Sequence, residues 1–153
     1  MGAAYFYHLT QQPLEATLSM LLGKARSAGW RVAVRGGDPA RLDALDEALW
    51  LGPEDAFLPH GRAGGPFDAR QPILLTEEAD APNAPHCVMA IDGAEVTAAE
   101  VAALARVCVL FDGNDAAAVQ IARGQWKALA DAGAAAQYWS EASGSWEKKA
   151  ETG

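Results

Sequence analysis

Long apolar runs, an excess of basic residues and a supply of cysteine are all missing from this chain of 153 residues. No stretch approaches the roughly 18 to 20 apolar residues that a membrane helix needs, so no membrane partner is expected. The opening MGAAYFYHLT has no basic segment leading into an apolar one, so no secretory leader is read there and the cytoplasm is the expected compartment. The two cysteines, Cys87 and Cys108, lie in strand-like runs (CVMAI and VCVLF) and read as buried reduced thiols. Twelve basic residues against twenty acidic ones leave a net charge of −8. That balance excludes a protein built chiefly to neutralise the phosphates of duplex DNA and disfavours direct binding of single strands. The three histidines, His8, His60 and His86, stand apart without the spacing of a zinc site, so no metal is expected.

What is present is enough for one packed domain spanning residues 1–153. Half the residues are hydrophobic and 21% are charged, which is not the composition of a disordered chain. Tyr5 to Leu9 reads as a first strand. Pro13 opens a helix with Leu14, Leu18, Leu21, Leu22 and Ala25 on one face, closed by Gly29. Arg31 to Arg35 reads as a second strand. Asp38-Pro39 caps and begins a helix carrying Leu42, Leu45 and Leu49, stopped by Gly52-Pro53. Phe57 to His60 reads as a short strand and His60 to Pro66 as a loop. Ile73 to Leu75, Cys87 to Ile91 and Val107 to Phe111 read as buried strands. Thr97 and Glu100 make a capping box ahead of a short helix. Asn114 is expected to cap the longest helix, which runs to about Ala132 and ends at Gly133. Strand and helix alternating with short connections predict an α/β fold with a mostly parallel sheet flanked by helices.

Such sheets often bind nucleotides, but the phosphate loops are absent. The first strand-to-helix turn, Thr10-Gln11-Gln12-Pro13, contains no glycine, and neither G-x-x-x-x-G-K-[ST] nor G-x-G-x-x-G occurs. No G-x-S-x-G elbow and no catalytic constellation is found, and no cofactor is expected. A small nucleotide-binding domain or enzyme on a doubly wound sheet stands as the alternative reading.

Two clusters rise above this background. On the long helix, Ala118, Ile121, Ala122, Gln125, Ala128, Leu129 and Ala132 are expected to pack, leaving Val119, Arg123, Trp126, Lys127 and Ala130 outward. A tryptophan between two cations resembles a binding hot spot: Arg123 and Lys127 would hold a carboxylate while Trp126 and Val119 offer an apolar wall. The competing reading packs Trp126 under the C-terminal segment. The second cluster, Trp50 with Phe57, Leu58 and Pro59, reads equally well as core or as a contact surface.

These clusters also carry a resemblance. Leu45-Asp46-Glu47-Ala48-Leu49-Trp50 followed by Phe57-Leu58-Pro59-His60 is similar to the chi subunits of bacterial DNA polymerase III holoenzyme, which show L-D-E-A-L-W and F-x-P-H. Ala122-Arg123-Gly124-Gln125-Trp126-Lys127-Ala128, running to Gly133, is similar to that family's A-R-x-x-[YW]-K motif. The opening Tyr5-Phe6-Tyr7 and a late tryptophan followed by lysine also fit. The resemblance implies a Rossmann-like fold without nucleotide binding. It further implies a non-catalytic adaptor of the clamp-loader assembly that reaches DNA only indirectly. Its expected partner is the acidic, phenylalanine-terminated tail of single-stranded DNA-binding protein, met by Val119, Arg123, Trp126, Lys127 and Trp139. Trp50, Phe57 and Pro59 would meet a psi subunit, other clamp-loader subunits or a helicase-like partner. Two departures stand out. Val119 occupies a position that is basic in better-known members, and the segment from about 134 to 153 is an extension expected on or near the last helix, where Trp139, Lys148 and Lys149 would compensate. Charge is unevenly spread: residues 1–35 carry +3, residues 36–122 carry −11 and residues 123–153 are neutral.

Overall fold

Consecutive apolar residues in four segments place strands inside a sheet covered on both faces. The computed structural model describes residues 2–50 and 59–152. Strands β1 (Ala3–Leu9), β2 (Val32–Gly36), β3 (Gly61–Arg62), β4 (Ile73–Thr76), β5 (Cys87–Ile91), β6 (Arg106–Asp112), β7 (Ala136–Ser140) and β8 (Glu147–Thr152) form one sheet. Their order is β3-β4-β2-β5-β6-β1-β7-β8. Every neighbouring pair is parallel except β7 and β8, which are antiparallel.

The helices are α1 (Leu14–Ser27), α2 (Pro39–Trp50), α3 (Ala98–Ala103) and α4 (Ala116–Asp131). Leu14, Leu18, Leu21, Leu22 and Ala25 of α1 pack with Leu42, Leu45 and Leu49 of α2 over one face of the sheet, against Val32, Val34, Met89 and Leu110. The other face holds Ala4, Phe6, Val107, Val109 and Phe111 under Val101 of α3 and Ala122 and Leu129 of α4. Both cysteines are buried and free. Local chemistry sets the ends. Asp38 Oδ1 accepts from Ala40 N at 3.0 Å at the start of α2. The Thr97/Glu100 capping box forms as expected at α3, and Gly29 and Gly133 take the left-handed backbone that stops α1 and α4.

Four sequence expectations need correction. Asp115, not Asn114, caps α4, its carboxylate accepting from Ala117 N and Ala118 N. The loop after His60 contains the two-residue edge strand β3. The face of α4 turned to the sheet is rotated from the expected one. Ile121 is 49% exposed and Ala128 and Ala132 face solvent, whereas Val119 and Trp126 pack against the core. The expected strand over Phe57 to His60 is not formed at Pro59 and His60; its first half, like Gly52-Pro53, lies outside the described residues.

Candidate functional site

In doubly wound sheets, ligands bind at the carboxyl ends of adjacent strands whose following helices cross to opposite faces. Here those strands are β1, which leads to α1, and β6, which leads to α4. A cleft of about 820 Å³ lies at that point, lined by the Thr10–Pro13 turn, Val109 to Asp112 and α4. Its chemistry is wrong for a phosphate. The backbone N–H groups of Gln11 and Gln12, which would face a phosphate at this turn, donate to Glu141 Oε1 at 3.0 and 2.8 Å. Glu141 is only 4% exposed. An internal carboxylate therefore occupies the anion-binding turn. Around the cleft stand Glu15, Asp38, Asp92, Asp112 and Asp115. Arg41 lies between two of them, 3.5 Å from Glu15 and 3.8 Å from Asp92.

A second groove, of about 390 Å³, lies where α4 crosses the β1–β7–β8 edge and is lined by His8, Arg123, Trp126, Tyr138, Ser140, Lys149 and Ala150. Strand alternation puts Phe6 and His8 on the α4 side of β1, and parallel pairing sets Phe6 beside Tyr138 and His8 beside Ser140. Trp126 and Tyr138 form an aromatic floor, backed from beneath by the fully buried Phe6. Trp126 meets Phe6 edge-on at 5.4 Å and Tyr138 edge-on at 5.7 Å, and Phe6 stacks on Tyr138 at 6.4 Å. His8 Nδ1 and the Tyr138 hydroxyl share a 2.7 Å hydrogen bond, which locks the phenol in place. Burial pushes the Tyr138 phenol up from its usual range, against the opposing pull of the nearby Arg123 charge. The groove thus combines a rigid aromatic base with cations from both sides, a chemistry suited to an aromatic side chain accompanied by carboxylates.

The structure gathers the expected residues unevenly. Arg123 and Trp126 line this groove, Arg123 exposed and Trp126 half-buried. Val119 packs into the α4-side core, and Lys127 is exposed on α4 outside the groove's lining. Trp139 points to the other face of the sheet, its Nε1 donating to Gln137 Oε1 at 3.0 Å. Trp126 packs against Tyr138 of the C-terminal segment, as the competing reading has it, while one side of it lines the groove. His8, read from the sequence only as an isolated histidine, lines the groove too, as do Tyr138 and Ser140, which carry no local signal for it. The i, i+2 spacing of Phe6 and His8 was visible, but which strand would lie beside β1 was not.

The second cluster lies at the far edge of the sheet. Trp50, 51% exposed at the end of α2, lies against the His60 ring with centroids 4.4 Å apart. His60 is buried, its Nε2 3.0 Å from Asp46 O and 3.1 Å from Asp46 Oδ1. Pro59 is exposed beside it, and Phe57 lies outside the described residues. Among the described residues no group of acidic, histidine and cysteine side chains is placed to hold a metal ion. None of their helices is long and apolar enough to cross a membrane.

Residues 1–137 match the family described as the DNA polymerase III chi subunit, HolC. A curated protein from Rickettsia prowazekii (strain Madrid E), named "Probable DNA polymerase III subunit chi", is 27% identical over 77 residues. That alignment covers 50% of this chain and 47% of the relative, so the match spans about half of each.

Proposed function

The chain belongs to the DNA polymerase III chi subunit family, and from that premise we propose that it is a non-catalytic accessory subunit that recognises the acidic, phenylalanine-terminated tail of single-stranded DNA-binding protein. In doing so it links the polymerase and its clamp-loader assembly to coated template. The observation that carries this reading is the groove over Trp126 and Tyr138 with Arg123 at its side. The aromatic floor takes the terminal ring, and the guanidinium takes a carboxylate in a charge-assisted pair. A chain of net charge −8 repels an acidic peptide over most of its surface, so a site for one must be a local reversal of that charge. The nucleotide-binding alternative is disfavoured because Glu141 occupies the turn that a phosphate would need.

Titration calorimetry with a synthetic acidic peptide ending in phenylalanine tests the reading. Arg123→Ala should weaken binding about tenfold or more, the scale of one charge-assisted contact. Raising the salt should weaken the parent as well, because the contact is partly exposed. Unchanged affinity in Arg123→Ala overturns the assignment. We further propose the exposed Trp50 and Pro59 as the surface for a second replisome subunit, psi-like or helicase-like.

A further inference from the structure

The groove has two banks of different origin. Arg123 and Trp126 come from α4, inside the stretch matched to the family, whereas Tyr138, Ser140, Lys149 and Ala150 lie beyond residue 137, where that match ends. The outer bank belongs to the β7–β8 hairpin, whose register slips once. Tyr138 pairs with Ala150 and Trp139 with Lys148, so Lys149 is an extra residue opposite no partner. In a regular strand, Lys149 and Ala150 would point to opposite faces. A bulge turns the extra side chain toward its neighbour's side, and both consecutive residues do line the groove. The bulge therefore delivers a cation to the bank opposite Arg123. Trp146 secures the hairpin from the other face of the sheet, meeting Tyr7 edge-on at 5.4 Å.

Lys149 already holds a carboxylate: its Nζ lies 2.9 Å from Glu147 Oε2. Glu147 Oε1 in turn accepts from Ser143 Oγ at 2.6 Å. We propose that Lys149, aimed by the bulge, is the second cation of the acidic-peptide site, and that Glu147 is a built-in competitor which an incoming carboxylate must displace. This inference rests on the reading of the groove as a site for an acidic, phenylalanine-terminated peptide. It adds that the C-terminal hairpin sets the site's affinity. Lys149 and Glu147 are both about half exposed, so their pairing is easily exchanged for an equivalent one.

Lys148 supplies the control. It carries the same charge one residue away, pairs with Trp139 on the other face, and lies 3.3 Å from Glu151. Calorimetry on the full chain at low salt, with the same synthetic peptide, should show Lys149→Ala about fivefold weaker, the upper range for an exposed ion pair. Lys148→Ala should stay within about twofold, the effect of net charge alone, and Glu147→Gln should bind about twofold to threefold tighter. Equal losses in Lys149→Ala and Lys148→Ala, or no gain in Glu147→Gln, overturn the inference. If Arg123→Ala weakens binding while Lys149→Ala does not, only the role of the hairpin falls. If the parent chain does not bind the peptide, the reading of the groove falls and the inference with it.

Discussion

Replacing Glu100 with glutamine probes a buried guanidinium, that of Arg35, which ties three parts of the α4-side face together. Arg35 on β2 has a side chain 5% exposed, and Glu100 on α3 one 24% exposed. Arg35 Nη1 donates to Glu95 O at 2.8 Å and to Glu100 Oε1 at 3.0 Å; Nη2 donates to Ala79 O at 3.0 Å and to Glu100 Oε2 at 2.5 Å. Glutamine keeps the shape and one acceptor but leaves the arginine charge buried without its counter-charge. Removing one partner of a fully buried pair costs about 3–5 kcal/mol. Because Glu100 is partly wetted and Thr97 still caps α3, about 2–3 kcal/mol is expected here. For a chain of this length that lowers Tm by roughly 5–10 °C. Burial alone would raise the Glu100 carboxyl, but the hydrogen bonds and charge of Arg35 outweigh it and hold the group below its usual range. A depressed carboxyl contributes stability above its unfolded pKa, about 4.3, and loses it as pH falls through the folded value. Urea denaturation should therefore show the full gap between parent and Glu100→Gln at pH 7, closing below about pH 4. A gap under about 0.5 kcal/mol at pH 7, or one that persists once carboxyls are protonated, would refute the reasoning.

Glu141→Ala removes the single carboxylate oxygen that accepts from both Gln11 N and Gln12 N, so two charge-assisted hydrogen bonds are lost. It should cost about 3 kcal/mol in urea melts, and a change of a few tenths would show that the turn stands without it. Trp50→Ala should reduce co-purification of a second replisome subunit while leaving the affinity for the acidic peptide at the parental value. Equal capture by parent and variant would remove Trp50 from that surface.

Much of the architecture could be read from local chemistry. Pro13, Asp38-Pro39, the Thr97/Glu100 box and the terminal glycines mark helix ends because capping needs only neighbours in sequence. Leu14 to Ala25 shows its buried face because α1 carries a clean helical period. The long helix misled because alanine is small enough to lie on either side. Ala118, Ala122, Ala128 and Ala132 gave no weight to one face, and the large Trp126 settled the rotation by filling the space over Phe6. Asn114 and Asp115 are both good caps; Asp115 caps α4, while Asn114 Nδ2 donates at 3.3 Å to the Thr10 carbonyl at the end of the neighbouring strand, a partner remote in sequence.

The groove shows the same division. Arg123 and Trp126 sit three residues apart on one helix, so helical geometry alone brings them to adjacent positions. His8, Tyr138 and Lys149 join them only because β1 lies between β6 and β7, which sets residues 8 and 138 within 2.7 Å across 130 positions of chain. No local rule specifies that neighbour, since strand pairing is chosen by the burial of the whole sheet. Nor does one place the bulge that turns Lys149 inward. The chain's composition and caps fix an acidic α/β protein without a phosphate loop. Long-range pairing of the last hairpin, an outcome of packing rather than propensity, brings Arg123, Lys149, Trp126 and Tyr138 to one groove.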